Sequence, residues 1–80
     1  MRNRLAAAAA TVPQKTEAIL ERDERIAIQK RLRDFGFFRG SANGSFGPAT
    51  REAIAAYQRA NNLAATGTLT PAEIANLLDE

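Results

Sequence analysis

Residues 41–63, SANGSFGPATREAIAAYQRANNL, carry a glycine-rich turn straight into an alanine-rich amphipathic helix. Asn43 and Gly44 form a strong turn signal, since both tolerate positive φ, and Gly40 and Gly47 lie close on either side. Pro48 suits the first turn of a helix, where its missing N–H costs nothing. Ala49, Ala53, Ile54, Tyr57 and Ala60 then recur at spacings of three and four, so this helix has a face to bury. Phe46, between two glycines, is the large apolar residue of the turn and pins it to the core, worth about 1.5–3 kcal/mol if fully buried.

Upstream, Ile28, Leu32 and Phe35 sit at i, i+4 and i+7 with Ile26 and Ala27 beside them, and Lys30, Arg31, Arg33 and Asp34 opposite. Asp23 is the expected N-cap of this helix and Gly36 its left-handed C′ residue. The adjacent Phe37 and Phe38 point to opposite sides if the segment is extended, with Phe37 inside and Phe38 partly exposed beside Arg39. Gln14 to Glu21 reads as a short helix lying on the domain edge. Arg2 and Arg4 precede a mostly alanine run, Leu5 to Val12, which barely reaches the length of a signal-peptide core before polar Gln14, Lys15 and Thr16.

Downstream, the central helix is expected to end at Asn61 or Asn62, either of which can take the left-handed cap position, and Leu63 to return to the core. Thr66, Gly67 and Thr68 form another turn. Thr70, Pro71, Ala72 and Glu73 read as a capping box with proline at N1, opening a helix whose buried stripe is Ile74, Leu77 and Leu78. The fold class is all-α: a small three-helix bundle with glycine-rich loops and an extra N-terminal helix. Residues 1–13 read as a flexible leader, 14–22 as a short helix or linker, and 23–80 as the domain.

Eighty residues with no cysteine and no histidine exclude disulfide staples, zinc-finger patterns and imidazole catalysis. Glu52 and Glu73 are expected on exposed helix starts, and Ser41 and Ser45 belong to a turn, so no catalytic residues, metal site or cofactor are expected. Residues 1–40 hold nine Lys/Arg against five Asp/Glu, and residues 41–80 two against four. That asymmetry is too slight to imply a polyanion partner. Arg51 and Arg59 alone are too few for a nucleic-acid recognition helix, and no run approaches the length of a membrane span.

Taken in order, Ile28, Gln29, Leu32, Phe35, Gly36, Phe37 and Phe38, then Gly40, Asn43, Gly44, Phe46, Gly47 and Thr50, then Ala53, Tyr57 and Gln58, then Leu63, Thr66, Gly67, Leu69 and Leu77 resemble the peptidoglycan-binding domain 1 family. The likeness runs from about residue 26 to residue 78. Two positions depart from the family pattern: Asn43 stands for its usual aspartate and Asn62 for its usual glycine. Both keep a turn-forming residue, but the first removes a carboxylate from the loop.

The resemblance implies a non-catalytic module that docks onto a peptidoglycan glycan strand or stem peptide in the periplasm or wall. It also implies an attached catalytic domain or other envelope protein as partner, without nucleic acid or membrane insertion. The same fold used as a protein-interaction module is the alternative. Candidate contacts are Phe38, Arg39, Asn43, Ser45, Phe46, Thr50, Tyr57 and Gln58, each with a structural alternative. Asn43 forms the turn, Thr50 bonds within the first helical turn, Tyr57 packs in the core, and Gln58 binds loop carbonyls. Phe38 with Arg39 suits a sugar face and a muramyl-peptide carboxylate.

Overall fold

Three helices account for most of residues 16–78, which are those described by the computed structural model. A 3₁₀ turn at Glu17–Ile19 precedes α1 (Arg22–Asp34), α2 (Pro48–Ala60) and α3 (Pro71–Leu78), and no strand occurs among the described residues. The expected leader and the first residues of the lead-in helix lie outside them. Ile28 and Leu32 of α1, Ile54 of α2, and Ile74 and Leu77 of α3 meet in a fully buried centre, closed by Leu20, Phe38, Ala53, Tyr57 and Leu69. Helix α1 packs against both others, more extensively against α3.

The helix ends follow from local chemistry. Glu21, not Asp23, caps α1: its side chain accepts an N–H of the first turn while Glu24 accepts the Glu21 N–H at 2.9 Å. This reciprocal pair satisfies two otherwise orphaned donors, and leaves Asp23 in the first turn, where its charge still favours the helix dipole. Thr70 and Glu73 form the expected box at α3, with bonds of 2.8 and 3.2 Å.

Helices α1 and α2 stop in the same way. Gly36 (φ 91°) and Asn62 (φ 60°) take the left-handed position. The following N–H groups of Phe37 and Leu63 reach back to the carbonyls of Leu32 and Gln58 at 2.9 and 2.8 Å.

Several burial expectations are overturned by these reversals. Phe35 falls at the C-cap, past the last turn that faces a partner helix, and is 52% exposed. The turn at Gly36 then sends Phe38, not Phe37, into the core: Phe38 is 4% exposed, while Phe37 stays half-buried. Its ring lies directly beneath Gly40, where a Cβ would come within 2.9 Å of the Phe38 ring, so the absent side chain makes room for it. Leu63, at the matching point after α2, is 43% exposed and does not return to the core. On α2, Ala49 and Ala60 are exposed, and the buried face is completed by polar Thr50 and Gln58. Glu73 is buried, not exposed.

The lead-in segment is strapped down. Leu20 enters the core while Ala18 and Ile19 remain exposed. The Glu17 carboxylate accepts from Arg51 at 2.7 and 2.9 Å and from the Leu69 N–H at 2.5 Å. Arg51 also donates to the Gly67 carbonyl at 3.1 Å and lies 5.5 Å from the centre of the Phe46 ring. Arg25 donates to the Gly44 carbonyl at 2.6 Å.

Two buried glutamines organise the loops. Gln29 Oε1 accepts the Gly44 N–H at 2.8 Å, and its Nε2 donates to the Ser45 carbonyl at 2.9 Å and to Thr50 Oγ1 at 3.0 Å. Gln58 Oε1 accepts the Gly67 N–H at 3.0 Å, and its Nε2 donates to the Thr68 carbonyl at 2.9 Å and to Glu73 at 3.0 Å. The two loops correspond position for position. Asn43 and Thr66 each accept the N–H two residues on, Gly44 and Gly67 are left-handed, Pro48 and Pro71 open the helix, and Thr50 and Glu73 meet the glutamine amide. The molecule repeats one helix–loop–helix clasp.

Replacing Gln58 by Leu strands the Gly67 N–H and removes one bond each from Glu73 and from the Thr68 carbonyl, which keeps only the Thr66 hydroxyl at 3.0 Å. A loss of about 2–4 kcal/mol is therefore expected in urea denaturation, a large share of the total for so small a domain. Gln29→Leu behaves likewise, while Lys30→Ala, exposed on the same helix as Gln29, stays within about 0.5 kcal/mol of the parent.

Candidate functional site

Where α1 ends, its cap leaves aromatic rings at the surface. Phe35 lies parallel to Tyr57 (6.4 Å between centroids, 6°), and Phe37 stands edge-on to both, at 6.4 Å and 72° from Phe35 and 6.3 Å and 75° from Tyr57. Such offset and edge-to-face pairs are mutually attractive, so the three rings form a stiff shelf. Asn61 and Asn76 complete the lining of an open cleft of about 500 Å³. Asn61 is held by a 2.8 Å bond from its Nδ2 to the Tyr57 carbonyl, which leaves its Oδ1 available. The cleft therefore offers apolar ring surface beside carboxamides that can donate and accept, a combination suited to a sugar ring carrying hydroxyl and amide groups.

Tyr57 is mostly buried, and its phenol sits above its ordinary value. Burial is the main cause, the Glu73 charge adds to it, and a hydrogen bond with the Asn76 side chain acts in the opposite direction. The phenol is neutral across the physiological range and can serve a ligand as a hydrogen-bonding group, not as a charge.

The residues singled out from the sequence do not form one site. Tyr57 alone among them lines the aromatic cleft. Phe38, Asn43, Ser45 and Thr50 come together at a smaller dent of about 210 Å³ on the first clasp loop, where Thr50 is buried against Gln29 and Asn43 accepts the Ser45 N–H at 2.9 Å. Gln58 is fully buried and committed to the second loop. Phe46 is half-buried against the core with Arg51 over its ring. Arg39 is exposed and lines a third depression with Phe37 and Arg59.

Phe35, Phe37, Asn61 and Asn76 were not singled out as contacts. The one signal for the first two is the Phe-Gly-Phe run at a helix end, where a left-handed glycine must reverse the chain and cannot keep both rings on the helix's buried stripe. Nothing in the sequence brings Asn76 to them.

Residues 21–77 match the family model described as "Putative peptidoglycan binding domain", and the chain belongs to that family. This agrees with the resemblance drawn from the motifs and with the bundle of three helices. Among curated proteins, the chain is similar to N-acetylmuramoyl-L-alanine amidase CwlM of Mycobacterium tuberculosis, with 40% identity over 55 residues. The match takes in 69% of this chain and 14% of that relative, so the chain corresponds to a small part of the amidase. No solved structure matches the chain significantly. No helix among the described residues is long and apolar enough to cross a membrane.

Tyr57 is the single tyrosine, so phenolate absorbance reports it directly. Alkaline titration of the folded protein should give a midpoint above 10.0, and Asn76→Ala should move it further upward by removing the bond that favours the phenolate. The folded state holds this proton more tightly than the unfolded state. The stability it contributes is thus full below about pH 10 and is lost as pH rises through the folded midpoint, and Tyr57→Phe abolishes that component of the loss.

Proposed function

We propose that this domain is a non-catalytic module that rests a peptidoglycan saccharide on the Phe35, Phe37 and Tyr57 rings and holds its amide or hydroxyl groups through Asn61 and Asn76. One observation carries the reading: an aromatic shelf of exposed Phe35 and half-buried Phe37, backed by buried Tyr57, opens beside two carboxamides in a chain of the peptidoglycan-binding family. A pyranose ring has an apolar face that packs on such rings, while its substituents need groups that both donate and accept.

Catalysis is disfavoured on chemical grounds. The chain has no histidine or cysteine, and Glu73, the buried carboxylate among the described residues, is already committed to the Thr70 N–H and the Gln58 amide. An open cleft of this kind binds weakly, and its use lies in raising the effective concentration of something tethered to it. The amidase that shares the domain sequence supports a role as one part of, or a partner to, a larger protein, and the family supports a place in the periplasm or wall. The lead-in segment fits a folded region beginning upstream of residue 23, since Glu17 and Leu20 are tied into the bundle.

Sedimentation with purified insoluble peptidoglycan tests the reading. The parent protein is expected to pellet, and Phe35→Ala to bind about three- to tenfold more weakly with little change in melting temperature, because that ring is half-exposed. Ile19→Ala, an exposed apolar residue outside the cleft, should bind as the parent does. If the parent remains in the supernatant while an established wall-binding module pellets, the reading is wrong and the cleft falls to a protein partner.

A further inference from the structure

The aromatic cleft has a neighbour. Phe37 lines both it and a second depression of about 380 Å³, whose other lining residues include Ala49, Ala53 and three charged side chains, Arg39, Glu52 and Arg59. Arg39 comes from the segment after the Gly36 reversal and Arg59 from the last turn of α2, so only the folded chain brings them to one dent. Their state differs from that of the structural arginines. Arg25 and Arg51 are spent on loop carbonyls and on Glu17, whereas the side chains of Arg39 and Arg59 are exposed and make no hydrogen bond or ion pair among the described residues.

Two guanidiniums lining one depression raise its potential, and Glu52, the single acid that lines it, leaves the dent with a net positive charge. A guanidinium presents paired N–H donors that match the two oxygens of a carboxylate. The wall polymer supplies that group beside its sugars, since its strands carry short peptides bearing carboxylates.

We infer that Arg39 and Arg59 are the carboxylate-holding half of the wall site: the saccharide lies on the aromatic shelf and a carboxylate of its attached peptide crosses Phe37 to the two guanidiniums. This rests on the wall-binding reading of the cleft and adds the peptide to what the site recognises. Phe37 becomes the boundary between sugar and peptide. Glu52 is placed to receive amide or ammonium donors of the same peptide. Specificity follows from the spacing of the two dents, because bare glycan fills only one.

The experiment compares native insoluble peptidoglycan with the same material after its carboxylates are converted to amides by carbodiimide coupling. The double variant Arg39→Gln, Arg59→Gln is expected to bind native wall about three- to tenfold more weakly than the parent, the range for two solvent-exposed charge contacts, and more so at low salt. On amidated wall the parent should drop to the level of the double variant, and the variant should not drop further. Lys30→Gln with Arg33→Gln removes equal charge from exposed positions of α1 outside this depression and should leave binding unchanged. The inference is overturned if the Arg39 and Arg59 variant binds native wall like the parent. It is equally overturned if the variant loses as much on amidated as on native wall, or if the Lys30 and Arg33 control loses the same amount. A parent protein that binds neither preparation removes the wall-binding reading and this inference with it. A parent weakened by Phe35→Ala but indifferent to the arginines removes the inference alone.

Discussion

A primary amide placed at full burial holds this molecule together, and it does so twice. Each of Gln29 and Gln58 accepts the N–H of a left-handed glycine and donates to the carbonyl of the next residue, so a helix grips the loop that leads to its successor. A buried carboxamide left unbonded costs more than it contributes when bonded, which makes each loop conformation close to all-or-none. Only glutamine serves well here, being neutral, long enough to reach from helix to loop, and both donor and acceptor. The repetition of the device, down to the proline that opens each following helix, gives a thin core two well-defined loops without disulfides.

With the loops settled, the surface follows. Gly36 reverses the chain after α1 and divides three phenylalanines among three environments: Phe38 in the core, Phe37 at the boundary, and Phe35 against Tyr57 at the surface. Arg51 binds Glu17, the Gly67 carbonyl and the Phe46 ring, and so joins the lead-in segment to both clasps. Among the described residues the Arg39 and Arg59 side chains have no such partner. The role of Arg25 and Arg51 is therefore a product of position: lying near loop carbonyls, they hold the fold.

A wall polymer is a repetitive target present at high local density, and an open, shallow surface of rings, carboxamides and a few cations suits it better than an enclosed pocket. Low affinity per contact allows release and rebinding along the polymer, while the rigidity of the bundle keeps the contacts in register. The neutral phenol of Tyr57 fits this picture, since a charge there would be poorly solvated beside Glu73.

The helices, their caps and the family motifs were legible in the sequence because they depend on neighbours within four or five residues. Pro48, Gly36, the Thr70 to Glu73 box and the left-handed Asn62 all do in the structure what local chemistry requires of them. Burial at helix ends was not legible, and Phe35, Phe37, Phe38, Leu63 and Glu73 all differ from expectation because distant segments decide it. Periodicity assigns a side chain to a face, but where a helix outruns its partners that face meets solvent, and where a loop folds back a polar residue can be sealed in. Likewise the eight candidate contacts are near one another along the chain, yet Phe38, Asn43, Ser45 and Thr50 share one dent while Tyr57 and Arg39 line two others. Sequence by itself determined three helices, two glycine loops and membership in a wall-binding family, because these are set by short-range backbone preferences. Only the tertiary structure decided that Phe35, Tyr57 and Asn76 share a cleft and that Arg39 and Arg59 share the next one, because packing of distant segments alone brings those side chains together.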